Sequence, residues 1–157
     1  MSDALFNKMN EFWETSPLPQ EVTKSLKNGA VAEVHFENDD DAYMMIKEKG
    51  RSVFRKGMPE KPQLYFKYSE AAVEYMMSVE GEGKEAIEEY VARMSECVLN
   101  PTKEKYIEVK LCTNIMTMFR MGYFGMMFAG GTRAIHTVKE VAKQLGIKIP
   151  GKFLKEK

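Results

Sequence analysis

The sequence of 157 residues predicts an α+β fold with an antiparallel or mixed sheet. Five short segments alternate apolar and polar residues, as half-buried strands do. Longer segments repeat apolar residues at intervals of three and four, which is the spacing of one helix face. The two kinds of segment are grouped along the chain: two helices, four strands, two helices, one strand and then helical segments. No repeat or low-complexity linker divides them, so we interpret residues 1–157 as a single domain.

The N-terminal part is predicted to form two helices. Leu5, Met9, Phe12 and Trp13 recur at helical intervals in the first. Pro19 suits the first turn of the second, and Gly29 is expected to end it. The predicted parts are N-terminal helices at 1–28, a strand meander at 30–67, helices at 69–99, a strand at 105–112, a helical C-terminal part at 113–146 and a basic tail at 147–157.

The strands are predicted from alternation and from the turns between them. "AVAEVHF" alternates apolar with polar residues, and "ENDDD" lacks the glycine and the closing glutamate of a calcium-binding loop, so we expect a simple turn there. "AYMMIKE" and "RSVFRKG" flank a short turn at Lys49 and Gly50. "QLYFKY", with Leu64 and Phe66 on one side, is the fourth strand, and "KYIEVKL" is the fifth.

Three amphipathic helices complete the predicted fold. Ser69 is the expected N-cap of the first. The second, "KEAIEEYVARMSECV", carries a long apolar stripe and ends before Pro101. The third, "TRAIHTVKEVAKQLG", is expected to end at Gly146, with an inward face of Ala134, Ile135, Val138 and Val141.

Charge and composition exclude several classes of function. The chain has 23 basic and 23 acidic residues, so no overall field attracts nucleic acid or anionic lipid. At most, the basic tail is expected to contact a membrane surface transiently. The apolar stretch at 114–131 is interrupted by Arg120 and by glycines, which argues against a membrane helix. Because the N-terminus lacks the pattern of a secretory signal, we expect a cytoplasmic protein.

Motifs for catalysis, cofactors and metals are weak. "GMMFAGGT" has the glycine spacing of a phosphate-binding loop, but Gly131 stands where that motif requires lysine. Cys97 and Cys112 are too few for a disulfide scaffold and fit no metal spacing. Cys112 with His35 or His136 leaves a nucleophile–base pair open in principle, although no spacing demands it. We expect neither an enzyme nor a protein that binds a cofactor or metal.

Methionine is the unusual feature of the composition. The thirteen methionines fall on several predicted elements that must converge in the fold. Taken singly, each is most simply core filler. Taken together, they indicate an apolar cavity that adapts to its occupant, because methionine side chains are flexible. The predicted ligand-binding residues are Met44, Ile46, Met76, Met77, Val91, Met94, Ile115, Met118, Phe119, Phe124, Met127 and Phe128.

Three stretches of the chain resemble the sterol-carrier-protein (sterol-transfer) family in order and local pattern: "AVAEVHFENDDDAYMMIKEKGRSVFRKG", "PQLYFKYSEAAVEYMMS" and "KYIEVKLCTNIMTMF". The resemblance covers residues 1–121. It implies a five-stranded sheet covered by helices on one face, with an apolar tunnel for a fatty acyl chain, a sterol or an isoprenoid. It also implies non-covalent carriage and no turnover. Ser78 and Thr113 stand where the family tends to have glycine.

The same apolar residues allow a function of another class. Each buried Met or Phe contributes roughly 1.5–3 kcal/mol on leaving water, so residues 114–131 must be covered by protein, by ligand or by a second copy of the chain. A homodimer, or an interaction or accessory module of the same fold without a free lipid ligand, would bury them equally well. We retain this module as the alternative to a lipid carrier.

Overall fold

The computed structural model describes residues 4–129 and 139–146. The order of the elements is the predicted one, and residues 139–144 are also helical. The prediction of an α+β fold is therefore confirmed. The elements are α1 (Ala4–Thr15), α2 (Pro17–Val22), β1 (Val31–Phe36), β2 (Tyr43–Glu48), β3 (Arg51–Lys56), β4 (Leu64–Tyr68), α3 (Glu70–Met77), α4 (Lys84–Leu99), β5 (Ile107–Leu111), α5 (Ile115–Arg120) and α6 (Tyr123–Phe128).

The five strands form one sheet in the order β3-β2-β1-β4-β5. β1 pairs with β4 in parallel, and the other three pairings are antiparallel, so the sheet is mixed. Lys49 and Gly50, which connect β2 to β3, have φ values of 50° and 75°. A two-residue hairpin turn of this kind requires φ above zero at both positions. The predicted turn is confirmed at these two residues.

The sheet has a covered face and an open face, because side chains alternate along each strand. The buried side chains of every strand lie on the covered face, where the helices pack. One row of neighbours across that face consists of Phe54, Met45, Ala32, Leu64 and Leu111. The open face carries half-buried and exposed side chains, and its apolar members on the first three strands are Val31, Met44, Ile46 and Val53.

The long helices cover the sheet with apolar stripes. α1 buries one stripe of Leu5, Met9 and Trp13. α3 begins at the predicted cap, where the Ser69 hydroxyl oxygen accepts the N–H of Ala72 at 3.1 Å. α4, the longest helix described at 16 residues, packs against α2, α3 and β5. Its buried residues are Ala86, Tyr90, Val91, Cys97 and Val98.

α2 is shorter than the sequence predicts. It ends at Val22, whereas the sequence pattern placed its stop at Gly29. The Thr23 hydroxyl lies 2.7 Å from the carbonyl oxygen of Pro19 and 2.7 Å from the hydroxyl oxygen of Ser52 on β3. These contacts fix Thr23 against the sheet, so the chain turns there and does not continue the helix.

The connection between α5 and α6 packs directly on the turn that follows α2. Gly122 has a φ of 84°, and a Cβ at this position would overlap the carbonyl oxygen of Ser25. A Cβ at Gly125 would overlap the Ser25 side chain. The Ser25 hydroxyl donates to the Gly122 carbonyl at 2.8 Å, and Lys27 N–H donates to the Met121 carbonyl at 2.9 Å. Glycine is thus required where these two backbone segments meet.

Candidate functional site

An apolar cavity lies between the covered face and the helices at the β4–β5 end of the sheet. We call it the main cavity, and its volume is about 100 Å³. β4 and β5 contribute the residues that alternation directs to the covered face, and α4 crosses above them. The lining residues are Leu64, Phe66 and Val109 from the strands, Val91, Met94, Ser95 and Val98 from α4, and Met118, Tyr123, Phe124, Met126, Val141 and Leu145 from the helical C-terminal part.

The lining of the main cavity contains no charged side chain. Ser95 and Tyr123 are its polar residues. The Tyr123 hydroxyl is already engaged, since it lies 2.8 Å from the Gln63 side-chain oxygen and 3.2 Å from the Val31 carbonyl. Burial raises the pKa of Tyr123 well above its ordinary value, so the hydroxyl stays neutral. The surroundings are therefore suited to hydrocarbon and unfavourable to an ion.

A smaller space, which we call the inner cavity, lies next to the main cavity toward the β2–β3 end. Its volume is about 30 Å³, and it shares Phe66, Met94 and Met126 with the main cavity. Trp13, Phe54 and Met76 are among its other lining residues. Three shared side chains therefore separate the two cavities, and two of them are methionines.

The size of the main cavity limits what it can hold without rearrangement. About 100 Å³ is below the roughly 300–1,000 Å³ of sites for drug-sized ligands, and a dry apolar cavity of roughly 150 Å³ holds benzene. A long chain therefore requires the lining to move. Met94, Met118 and Met126 can supply that movement, because unbranched thioether side chains change rotamer more freely than branched ones.

Five of the predicted site residues line these cavities. Val91, Met94, Met118 and Phe124 line the main cavity, and Met76 lines the inner cavity. Met77, Ile115 and Phe119 are partly buried and pack against the core without lining either cavity. The side chains of Met127 and Phe128 lie outside what the structure describes.

Met44 and Ile46, also predicted to bind the ligand, line neither cavity. Both are half-buried on the open face, whereas Tyr43, Met45 and Lys47 of the same strand point to the helices. The physical reason is the period of two along a strand, which puts adjacent methionines on opposite faces. The inward methionine of β2 is Met45, which lines the inner cavity.

Sequence reasoning missed several lining residues, although their signals were present. Leu64 and Phe66 were recognised as sharing one strand face, and Val98 lies one helical turn after Met94 on the α4 stripe. The sequence pattern did not predict which elements face each other across the cavity. The missed lining residues of the main cavity are Leu64, Phe66, Ser95, Val98, Val109, Tyr123, Met126, Val141 and Leu145.

The surroundings of His35, Cys97 and Cys112 do not favour catalysis. His35 lies on the open face, where its ring nitrogen is 2.6 Å from the Glu33 carboxylate. Burial raises the pKa of the Cys97 and Cys112 thiols, which disfavours the reactive thiolate. Within residues 4–129 and 139–146, no group of three or more His, Cys, Asp or Glu side chains is arranged to hold a metal ion. His136 lies outside the described residues.

In the part of the chain that the structure describes, no helix combines the length and the apolar character that crossing a bilayer requires. Comparison with protein-family models, with curated proteins and with solved structures finds no significant match to this chain. The cavities and their lining are therefore the features from which a function can be inferred.

Proposed function

We propose that this protein binds and carries an apolar, lipid-like ligand without catalysis, and that the main cavity is the binding site. A fatty acyl chain, a sterol and an isoprenoid are the ligand classes suggested by the resemblance to sterol carrier proteins. The observation that carries the proposal is the uncharged, methionine-rich lining of a cavity between sheet and helices. The free thiols Cys97 and Cys112 support a reducing, cytoplasmic location.

The lining favours hydrocarbon for a simple energetic reason. Apolar surface that leaves water contributes about 25 cal/mol per Å², whereas a charged group placed here would lose its hydration and find no partner in the lining. Each methylene group that enters the cavity therefore adds to the affinity. Binding is expected to be coupled to rotamer changes at the lining methionines, because the space is smaller than a long chain.

Filling the main cavity tests the proposal. In Val98→Phe the larger ring occupies the space above β4 and β5, and we expect at least about tenfold weaker binding of a fluorescent fatty-acid analogue. The unfolding free energy should change by only about 1–2 kcal/mol, because the ring enters existing space. Binding is measured by fluorescence titration and stability by chemical denaturation.

Ile46→Phe is the matched control, since it adds the same ring to the open face. We expect its affinity for the analogue to equal that of the native chain. If folded Val98→Phe binds the analogue as tightly as native protein, the main cavity is not the binding site.

The open face supports the alternative function, an interaction or dimerisation module. Val31, Ile46 and Val53 are register neighbours across β1, β2 and β3 and form a half-buried apolar row. A second copy of the chain packed on this row would form a symmetric dimer. Sedimentation velocity distinguishes the two functions: a dimer that Ile46→Lys converts to monomer supports the module, and a monomer at all concentrations contradicts it.

A further inference from the structure

The indole N–H of Trp13 is a buried donor without an acceptor among the described residues. Trp13 is 7% exposed, and its ring packs edge-on against Phe54 with 4.9 Å between the ring centroids. A buried indole N–H usually finds an acceptor, because the bond to water that it gives up is otherwise not replaced. The Trp13 N–H is therefore an unsatisfied donor in the part of the chain that the structure describes, and a ligand reaches it only if the side chains around it move.

Trp13 lies where the inner cavity meets a cleft on the protein surface. The cleft has a volume of about 310 Å³ and shares Trp13 and Phe54 with the inner cavity. The other residues that line it are Asn10, Glu14, Arg51, Ser52 and Val53. The cleft, the inner cavity and the main cavity thus follow one another, and each shares lining residues with the next.

The cleft has about as much polar as apolar surface, whereas both cavities are mainly apolar. Arg51 places a guanidinium group there, and within residues 4–129 and 139–146 that group forms no ion pair with a carboxylate. It donates a long hydrogen bond to the Glu14 carbonyl, at 3.5 Å. The Ser52 hydroxyl is bonded to Thr23, so the donors suited to a new acceptor are Arg51, Trp13 and the side-chain amide of Asn10. The Glu14 carboxylate also lines the cleft and would repel an anion that approached it closely.

We propose that the ligand is a single-chain amphiphile whose acyl carbonyl or carboxylate oxygen accepts a hydrogen bond from the Trp13 indole N–H. The headgroup occupies the cleft, and the chain passes through the inner cavity into the main cavity. At about 30 Å³ the inner cavity must widen before any chain can pass, and one extended chain requires less widening than a fused ring system, which favours acyl chains over sterols. This inference rests on the lipid carriage proposed above.

Trp13 is the only tryptophan of the chain, so its fluorescence reports the position of a ligand. A bromine atom quenches indole fluorescence only at near-contact distance, and fatty acids brominated at different carbons therefore act as a ruler. With the native chain, we expect the strongest quenching from an acid brominated next to the carboxyl group and the weakest from one brominated near the methyl end. The reverse order would overturn the proposed orientation.

Isothermal titration calorimetry with the same acids separates this inference from the carriage proposal. If calorimetry detects binding of the acids but the order of quenching is reversed, the carriage proposal is supported and the proposed hydrogen bond from Trp13 is contradicted. If calorimetry detects no binding of any acid or of the n-alkane of equal length, both proposals fail.

Trp13→Phe removes the donor and keeps an aromatic ring. We expect Trp13→Phe to weaken the binding of the fatty acid and of its methyl ester about tenfold more than the binding of the n-alkane of equal length. The alkane accepts no hydrogen bond, so any loss of its affinity measures the change in shape alone. An unchanged ratio of acid to alkane affinity would overturn the proposal. Arg51→Gln distinguishes the two headgroups: a loss confined to the acid identifies a free carboxylate, and equal affinities for acid and ester identify an acyl carbonyl.

Discussion

The two ends of the covered face differ in how closely their side chains pack. At the β2–β3 end, aromatic rings contact one another: Phe6 stacks on Tyr43 at 4.6 Å between centroids, and Trp13 meets Phe54 edge-on at 4.9 Å. At the β4–β5 end, the lining of the main cavity includes three methionines. Rigid rings with two side-chain torsions fill a fixed volume, whereas flexible methionines do not define one. The contacting rings leave only the inner cavity of about 30 Å³ under the β2–β3 end, whereas the β4–β5 end leaves about 100 Å³ beside methionines that can change rotamer.

The helices that cover the two ends differ in length as well. α1, which covers the β2–β3 end, has 12 residues, whereas α5 and α6 at the other end have six each. Helices of six residues are not stable alone, so their position depends on tertiary contacts. The contact of Gly122 and Gly125 with Ser25 joins α5 and α6 to the N-terminal part, together with the hydrogen bond from Lys27 N–H to the Met121 carbonyl. Loss of the contact with Ser25 should therefore destabilise the β4–β5 end first.

The largest expected effect comes from Gly122→Ala. The residue has a φ of 84°, and the added methyl group would overlap the Ser25 carbonyl oxygen, which is backbone and cannot rotate away. We expect a loss of about 3 kcal/mol or more of unfolding free energy, measured by chemical denaturation. Gly50→Ala is the control, because its φ of 75° carries similar strain in open space and should cost only about 1 kcal/mol. Equal losses in the two variants would show that the close approach is unimportant.

Local pattern was sufficient to predict most of the fold. The alternation in β1 and β4, the turn at Lys49 and Gly50 and the Ser69 cap depend on neighbours in sequence, and each is found as expected. The parallel pairing of β1 with β4 joins residues about thirty positions apart, so local pattern left the sheet either antiparallel or mixed. The end of α2 was misplaced for the same reason, since the Ser52 hydroxyl that holds Thr23 comes from another element.

The candidate site was less predictable. The helix stripe identified Val91 and Met94 because helical periodicity marks one face unambiguously. Adjacent methionines in β2 offered two choices, and the sequence pattern favoured Met44, which shares its face with Ile46, because the face of Met45 includes the charged Lys47. A cavity itself leaves no periodic signal, because the same apolar residues line a filled core and a hollow one. That difference depends on volumes summed over several elements.

A matched pair of methionines compares the packing of the two ends directly. Met9 is 2% exposed on α1 at the β2–β3 end, and Met118 is 4% exposed at the main cavity. Met9→Ala should cost about 3 kcal/mol of unfolding free energy, within the usual range for a fully packed methionine. Met118→Ala should cost about half as much, because a side chain that borders empty space loses fewer contacts.

Chemical denaturation of both variants provides the measurement, and ligand titration provides a second one. Met118→Ala enlarges the main cavity and should shift the preference of the protein toward bulkier apolar ligands, whereas Met9→Ala should leave that preference unchanged. Identical costs, with identical ligand preferences, would contradict the difference in packing between the two ends.

The smallest expected effect concerns a charge at the β2–β3 end. Lys47 is 4% exposed on the covered face, and its ammonium group donates to the Thr23 carbonyl at 2.9 Å. Burial lowers the pKa of Lys47 below its ordinary value of 10.5, so the unfolded chain holds this proton more tightly than the folded one. The charged lysine therefore weakens the fold at neutral pH, and the unfolding free energy should rise as pH increases through the folded-state pKa.

Lys47→Met should remove that rise and stabilise the protein slightly at pH 7. The Thr23 carbonyl still accepts the N–H of Leu26 at 3.0 Å, so the substitution leaves no backbone acceptor unpaired. Burial raises the pKa of Tyr68 and Tyr90, so above pH 10 these tyrosines ionise in the unfolded chain before they do so in the folded one. Their ionisation lowers the unfolding free energy there, and the denaturation series must therefore stop below pH 10. Lys24→Met, at an exposed site, is the control and should keep the native pH profile. A Lys47→Met profile parallel to the native one would show that the buried ammonium group does not weaken the β2–β3 end.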